Sequence, residues 1–217
     1  MNYTNNNNTI LSLWVKQKTS SKEAVNSDEK KIFEQNKIYL CSTTFEKSTE
    51  FIKEYSIPID CTQPVGIAID HKDKIWIAAT WIGYLVVFDP ILKGFVDFIK
   101  IPNWKTNGIF GSMVWGMDFD KNSNLWFTDE VHNAIWRYFT DERKFKIYQA
   151  PTKSSYPAQI ALDSQGRVWF SEIFGKKLGV ITPSEVVNDT TTLITHKNNS
   201  SDNHNPYNCN QKSMNTH

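Results

Sequence analysis

The feature that most narrows the fold is a segment that occurs three times in register. Pro64–Pro90, Val114–Thr140 and Pro157–Pro183 are equal in length and align without a gap. They read PVGIAIDHKDKIWIAATWIGYLVVFDP, VWGMDFDKNSNLWFTDEVHNAIWRYFT and PAQIALDSQGRVWFSEIFGKKLGVITP. Asp70, Asp120 and Asp163 share one position of the repeat, and Trp76, Trp126 and Trp169 share another. A chain that repeats one unit buries each copy against its neighbour. The aspartates are 50 and then 43 residues apart, and a 6-residue insertion between Pro102 and Val114 accounts for most of the difference. A period near 43 is that of a four-stranded propeller blade.

Each unit also reads as short strands. GIAID, IWIAA, YLVVFD and FVDFIKI are rich in β-branched and aromatic residues, and polar turns separate them without room for a helix. The expected fold is all-β: a β-propeller of four-stranded antiparallel blades in an incomplete ring. The blades occupy 37–183, as repeats 64–102, 114–151 and 157–183. A leading outer strand, STEFIKEYSIP, ends at Pro58, and TTTLITH is expected to finish the third blade. The shared aspartate opens the turn between the first two strands, where its carboxylate can accept the turn's own N–H groups. The shared tryptophan is expected to fill the space between blades. Residues 1–36 and 184–217 are rich in Asn, Ser, Thr and Lys. They account for a mean hydropathy of −0.47 and are expected to be mostly disordered.

Charge narrows the partners. Twenty-four Lys and Arg against 23 Asp and Glu leave a formal charge of +1, which gives no basic field for nucleic acid or anionic membrane. The uncharged apolar run Ile75–Phe88 contains a glycine and is too short to span a bilayer. No signal peptide is visible, because the patch Ile10–Val15 is short and interrupted. Of the three cysteines, Cys41 and Cys61 bracket a strand-like segment. They read either as a disulfide, which would fit an extracytoplasmic parent, or as two unrelated buried thiols.

Gly-Ile-Ala-x-Asp, a polar turn, Trp-Phe-Thr/Ser-Asp/Glu and Asn-x-Ile-x-Arg together resemble the repeat of the virginiamycin B (streptogramin) lyase family. WFTDE at Trp126–Glu130 and WFSE at Trp169–Glu172 are the most specific pieces. The NHL and SMP-30/gluconolactonase propellers share the first part of the pattern and are the alternative. The resemblance implies a ring of about six or seven blades and a carbon–oxygen lyase that linearises cyclic depsipeptides by elimination at an ester. It also implies a base histidine in a Pro-His-Gly/Ala-Ile segment and a Mg²⁺ held by glutamates of Trp-Phe-x-Glu segments. The base positions correspond to Val65, Trp115 and Ala158, none of which takes a proton. The metal positions correspond to Ala79, Asp129 and Glu172, so Asp129, Glu172 and neighbouring Glu130 are the metal or polar-ligand candidates. Arg137 matches the family's Ile-x-Arg position and reads as a charged bridge between blades.

The inserted loop Asn103–Met113 carries Trp104 and Phe110, and His132 follows the acidic pair by two residues. These three are the ligand-binding candidates. Two classes of function follow. One is a Mg²⁺-assisted lyase acting on a cyclic peptide or lactone. The other is a non-catalytic propeller that binds a small molecule, peptide or protein. Three blades do not close a ring of the family's size. The chain is expected to be part of a longer protein or a remnant, with a homo-oligomer whose blades close between chains as the alternative.

Overall fold

The computed structural model describes residues 34–35, 41, 45–104, 106–107, 110–183 and 194–195. Its elements are strands: β1 Pro64–Ile69, β2 Ile75–Ala79, β3 Tyr84–Asp89, β4 Gly94–Lys100, β5 Thr106–Asn107, β6 Phe110–Gly111, β7 Met117–Phe119, β8 Leu125–Asp129, β9 Ala134–Phe139, β10 Lys144–Gln149, β11 Pro157–Leu162, β12 Val168–Glu172, β13 Lys177–Ile181 and β14 Ile194–Thr195. They form antiparallel sheets in the orders β1-β2-β3-β4, β14-β10-β9-β8-β7 and β11-β12-β13, with a small β5-β6 hairpin in the insertion. Each large sheet is one blade. No helix among the described residues is long and apolar enough to cross a membrane.

One hydrogen-bond pattern builds the start of every blade. Through Oδ1, Asp70 accepts the backbone N–H groups of Lys72 (2.8 Å) and Lys74 (2.9 Å). Through Oδ2 it accepts the indole N–H of Trp76 (2.9 Å). Asp120 does the same for Asn122, Asn124 and Trp126, and Asp163 for Gln165, Arg167 and Trp169. The third residue after each aspartate is left-handed: Asp73 at φ 59°, Ser123 at 61° and Gly166 at 75°. This local geometry tightens the hairpin in the sense the strand twist requires. The aspartate and tryptophan of the repeat are thus one unit, in which the turn carboxylate holds the indole.

Blades meet through their faces. Between the first and second lie Trp76, Ala78, Leu85, Val87 and Ile99 on one side and Phe119, Leu125, Phe127, Trp136, Tyr138 and Phe145 on the other. Trp76 stands edge-on to Phe119 at 5.6 Å, a favoured aromatic geometry. Between the second and third blades, Trp126 and Ile135 pack against Val168, Phe170, Ile160 and Leu162. Gly116 makes this approach possible, since a Cβ there would lie 2.7 Å from the Ile160 nitrogen and 2.8 Å from the Ala158 oxygen. Polar ties pin both junctions. His71 Nε2 donates to the Asp120 carbonyl (3.0 Å), Arg143 pairs with Asp97 (2.8 Å), and Thr128 Oγ1 donates to the Ala158 carbonyl (2.8 Å).

Three readings of the sequence are revised. STEFIKEYSIP is not an outer strand. It makes one bridge, Ser48 to Lys53, and then lays Tyr55 against Phe88 with ring centroids 4.6 Å apart. The described residues of TTTLITH, Ile194 and Thr195, do not join the third blade. Ile194 and Thr195 pair instead with Phe145 and Lys144, extending the second. The hydrogen-bonding edge of β10 accepts this strand because its other edge is already paired to β9. Arg137 bridges no blades. Its Nη2 donates to Asp120 (2.8 Å) in its own sheet, and its guanidinium lies over Trp126 and Phe139. Apart from Glu34–Gln35 and Ile194–Thr195, the segments 1–36 and 184–217 expected to be disordered lie outside the described residues.

Candidate functional site

The aligned positions stand where β2, β8 and β12 run into the next turn, and in the first and third blades they lie opposite Pro64 and Pro157, the first residues of β1 and β11. There the first blade has Ala79–Thr80, the second Asp129–Glu130, and the third Glu172. Glu172 pairs across the sheet with Pro157 and Lys177, so its backbone is fixed on both sides.

Asp129 is fully buried and saturated. Its Oδ1 accepts Ser112 Oγ–H (2.5 Å) and the His132 backbone N–H (3.0 Å). Its Oδ2 accepts His132 Nδ1 (2.5 Å) and the Trp136 indole N–H (2.8 Å). An ionised carboxylate only accepts, so Nδ1 of this imidazole is assigned as the donor. His132 is one turn of chain from Asp129, with the Trp104 and Trp136 rings each 6.3 Å away. A carboxylate holding one ring nitrogen fixes the tautomer and orientation of the other.

Glu130 is buried, and its Oε2 accepts the Trp115 indole N–H (2.8 Å). Trp115, at a position where the family resemblance places a histidine, keeps 38% of its surface exposed. Glu172 differs from both. It is 4% exposed, yet its Oε2 has no hydrogen-bond partner. It folds over Gly175, where a Cβ would collide with the carboxylate. An unpaired buried carboxylate oxygen is costly, and a cation or a ligand N–H or O–H would relieve that cost.

Among the described residues no three His, Cys, Asp or Glu side chains converge to hold a metal. For a magnesium ion the fit is therefore partial. Glu172 offers a free oxygen in a suitable setting, whereas Asp129 spends its lone pairs on four protein donors. The structure brings Asp129 and His132 together and ties Glu130 to Trp115. Trp104 folds back onto the first core, and its indole N–H donates to the Thr80 carbonyl (2.7 Å). The Phe110 side chain lies outside the described residues. Cys41 and Cys61 are joined as a disulfide.

Sequence reasoning missed Ser112 and Trp136 as partners of Asp129, and Asn133 as a clamp. Asn133 Oδ1 accepts from Ser155 N (2.7 Å), while its Nδ2 donates to Thr152 O (2.8 Å), holding the crossing into the third blade. The available signal was Asp-x-x-His-Asn across a tight turn, with Asn133 at φ 54°.

Aspartate pKa values follow the same geometry. Burial pushes Asp120 up, but the Trp126 indole, the Asn124 backbone and side chain, and Arg137 outweigh it and hold the carboxyl below its ordinary value. The Trp169 indole, with the Arg167 and Gln165 contacts, holds Asp163 far below that range.

The blade order and the repeated Asp–Trp pair define a β-propeller. The family model "Virginiamycin B lyase family" matches residues 52–200, more than half of the chain, and the chain belongs to that family. A catalytically inactive virginiamycin B lyase from Staphylococcus aureus with quinupristin is similar at 19% identity and a TM-score of 0.54. The match covers 67% of this chain and 46% of that one. A streptogramin B lyase structure is similar at 24% identity and a TM-score of 0.51, over 64% of this chain and 43% of that one. The chain thus spans about half the length of these solved structures, and the likeness is one of fold. No curated protein matches the sequence.

Proposed function

We propose that these blades form the ligand-binding wall of a streptogramin-lyase-type propeller that takes a cyclic peptide closed by an ester. The observation that carries this reading is the buried Glu172 carboxylate, with one oxygen left for a cation or a ligand donor. Two further side chains of the second blade suit such a ligand. The exposed face of Trp115 offers apolar surface, and Glu130 fixes that ring by its N–H. Asp129 holds the His132 ring by Nδ1 and so sets the direction of its Nε2.

In an ester elimination the hydrogen α to a carbonyl leaves as a proton while the carbon–oxygen bond to the departing carboxylate breaks. A base is therefore required. Val65, Trp115 and Ala158 supply none at the family's positions, so the reading gives these blades binding and orientation. Those same three residues favour a second reading, a propeller that binds its ligand without reaction.

The experiment is incubation of the full chain with a cyclic depsipeptide and Mg²⁺, followed by mass spectrometry and calorimetry. A linear product of unchanged mass supports lyase action, and a gain of one water supports hydrolysis instead. Binding without product supports the second reading. No heat of binding, or equal binding by Glu172→Gln, overturns the assignment of the site.

A further inference from the structure

We infer that the Glu172 carboxylate is the receptor for a compact protonated amine of the ligand, an R–NH₃⁺ head rather than a metal ion. The inference rests on the reading above that Glu172 faces the ligand, and it names the group that Glu172 takes.

Asp129 and Glu172 are carboxylates at one position of the repeat, and they differ in what meets them. Asp129 accepts from four donors: the Ser112 hydroxyl, the His132 backbone N–H, the His132 ring and the Trp136 indole. The counterparts of these residues in the third blade, 43 positions on, are Ser155, Gly175 and Gly179. All four donors are lost there. Ser155 is again a serine, but its Oγ–H donates to Asn133 Oδ1 of the second blade (3.0 Å). The Gly175 N–H donates to the Ser155 carbonyl (3.1 Å). Gly175 and Gly179 have no side chain to offer.

Among the described residues no donor therefore reaches the Glu172 carboxylate, and its Oε2 is sealed from solvent without a partner. Oε1 is not sealed in this way, which leaves the group a route to solvent. The corner lies against the second blade, through Ser155 and Asn133, so two described blades border it. At the same position the first blade has Ala79, where no carboxylate needs a partner. An ionised carboxylate held without donors is costly, and a bound cation offsets that cost.

The space beside Glu172 decides which cation fits. A Cβ on Gly175 would lie 2.4 Å from Glu172 Oε2, and one on Gly179 would lie 2.1 Å from the Phe170 ring. The carboxylate and Phe170 thus fill the volume that the His132 and Trp136 rings take in the second blade. That leaves no place for a flat heteroaromatic group. A hard divalent ion asks for several oxygen ligands, and no three His, Cys, Asp or Glu side chains converge among the described residues. An ammonium head is a compact charge with three N–H donors, and its bond to a carboxylate is charge-assisted. Ser155 borders the same corner, its Cβ 3.0 Å from the point where a Gly175 Cβ would stand. Its Oγ, which donates to Asn133, keeps lone pairs to accept a second N–H. The ligand class narrows to cyclic peptide esters that carry a free amine.

The test follows the Glu172 side-chain carboxyl carbon by ¹³C NMR in the labelled full chain, its signal identified by its loss in Glu172→Gln. Methylammonium chloride should shift this signal saturably. Tetramethylammonium chloride, which has the charge but no N–H, should not, and neither should sodium chloride at equal ionic strength. In calorimetry, a cyclic depsipeptide with a free amine should bind about tenfold more tightly than its N-acetylated form, and Glu172→Gln should erase the difference. A response to magnesium chloride and not to methylammonium overturns the inference in favour of a metal. No response to any cation, or an equal response to tetramethylammonium, overturns it too; these titrations use the wild-type chain and stand whether or not the variant folds. Equal binding of the free and acetylated peptides overturns it while the ligand reading survives. Saturation by methylammonium with no binding of either peptide supports the ammonium site and overturns the ligand reading.

Discussion

Trp126 and Trp169 occupy one position of the repeat and make one bond, yet their surroundings are opposite. Each indole donates to the aspartate six residues earlier, at 3.0 and 2.8 Å. Trp126 is then sealed between two blades, with Tyr148 and Arg137 against it. Trp169 has Arg167 over its ring and no described blade on that side. The motif therefore determines the hairpin and the pose of the ring. The neighbouring blade determines what that ring is worth.

The largest expected difference follows from this pair. Trp126→Ala should cost about 3–5 kcal/mol, the usual range for a large aromatic removed from a closed core. Trp169→Ala should cost about 1 kcal/mol, near the value of the hydrogen bond it loses. Urea unfolding of both variants checks the ratio. Equal costs would break the comparison.

Gly116→Ala probes the same junction from the backbone. The new Cβ would meet main-chain atoms of the third blade, so a loss of about 1–3 kcal/mol is expected. Thermal unfolding measures it, and a neutral result would mean that the blades sit further apart than described.

The hydroxyls at one repeat position sharpen the contrast further. Thr128 accepts from the Trp115 and Gly116 N–H groups and donates to Ala158 across the junction. Ser171, its counterpart, accepts among the described residues only from Gln159 in its own blade. Thr128→Val should cost about 1–2 kcal/mol and Ser171→Ala less than half of that. Parallel denaturant titrations decide it.

The smallest effect is on pH. Asp120 has its pKa lowered in the fold, so its contribution is fully present above the unfolded value of about 3.9 and is lost as pH falls through the folded value. Melting temperature should therefore fall below about pH 4. The fall should be shallower in Asp120→Asn, although that variant starts from a lower stability. An unchanged slope would remove Asp120 from the set of carboxylates that matter.

The blades, their order and most strand limits were legible because period-2 apolar runs and the aspartate turns are local signals. The Asp–Trp bond was also in the sequence, as a constant spacing of six, but each residue suggested a separate role and the pairing went unread. Pairings between distant residues were not legible. Nothing in Ile194–Thr195 says that β10 rather than β13 is its partner, and Arg137 has the same sequence whether it reaches within or between sheets. At the site, Asp129 looked like a metal carboxylate because its position matched. Only the structure shows Ser112, His132 and Trp136 already occupying its lone pairs.

The most direct measurement is hydrogen exchange of the indole N–H groups by NMR. All of Trp76, Trp126 and Trp169 donate to an aspartate, so bonding alone would protect them alike. The account predicts that Trp126 exchanges most slowly and Trp169 fastest, in the order of their cover by neighbouring blades. Equal protection at Trp126 and Trp169 would contradict it.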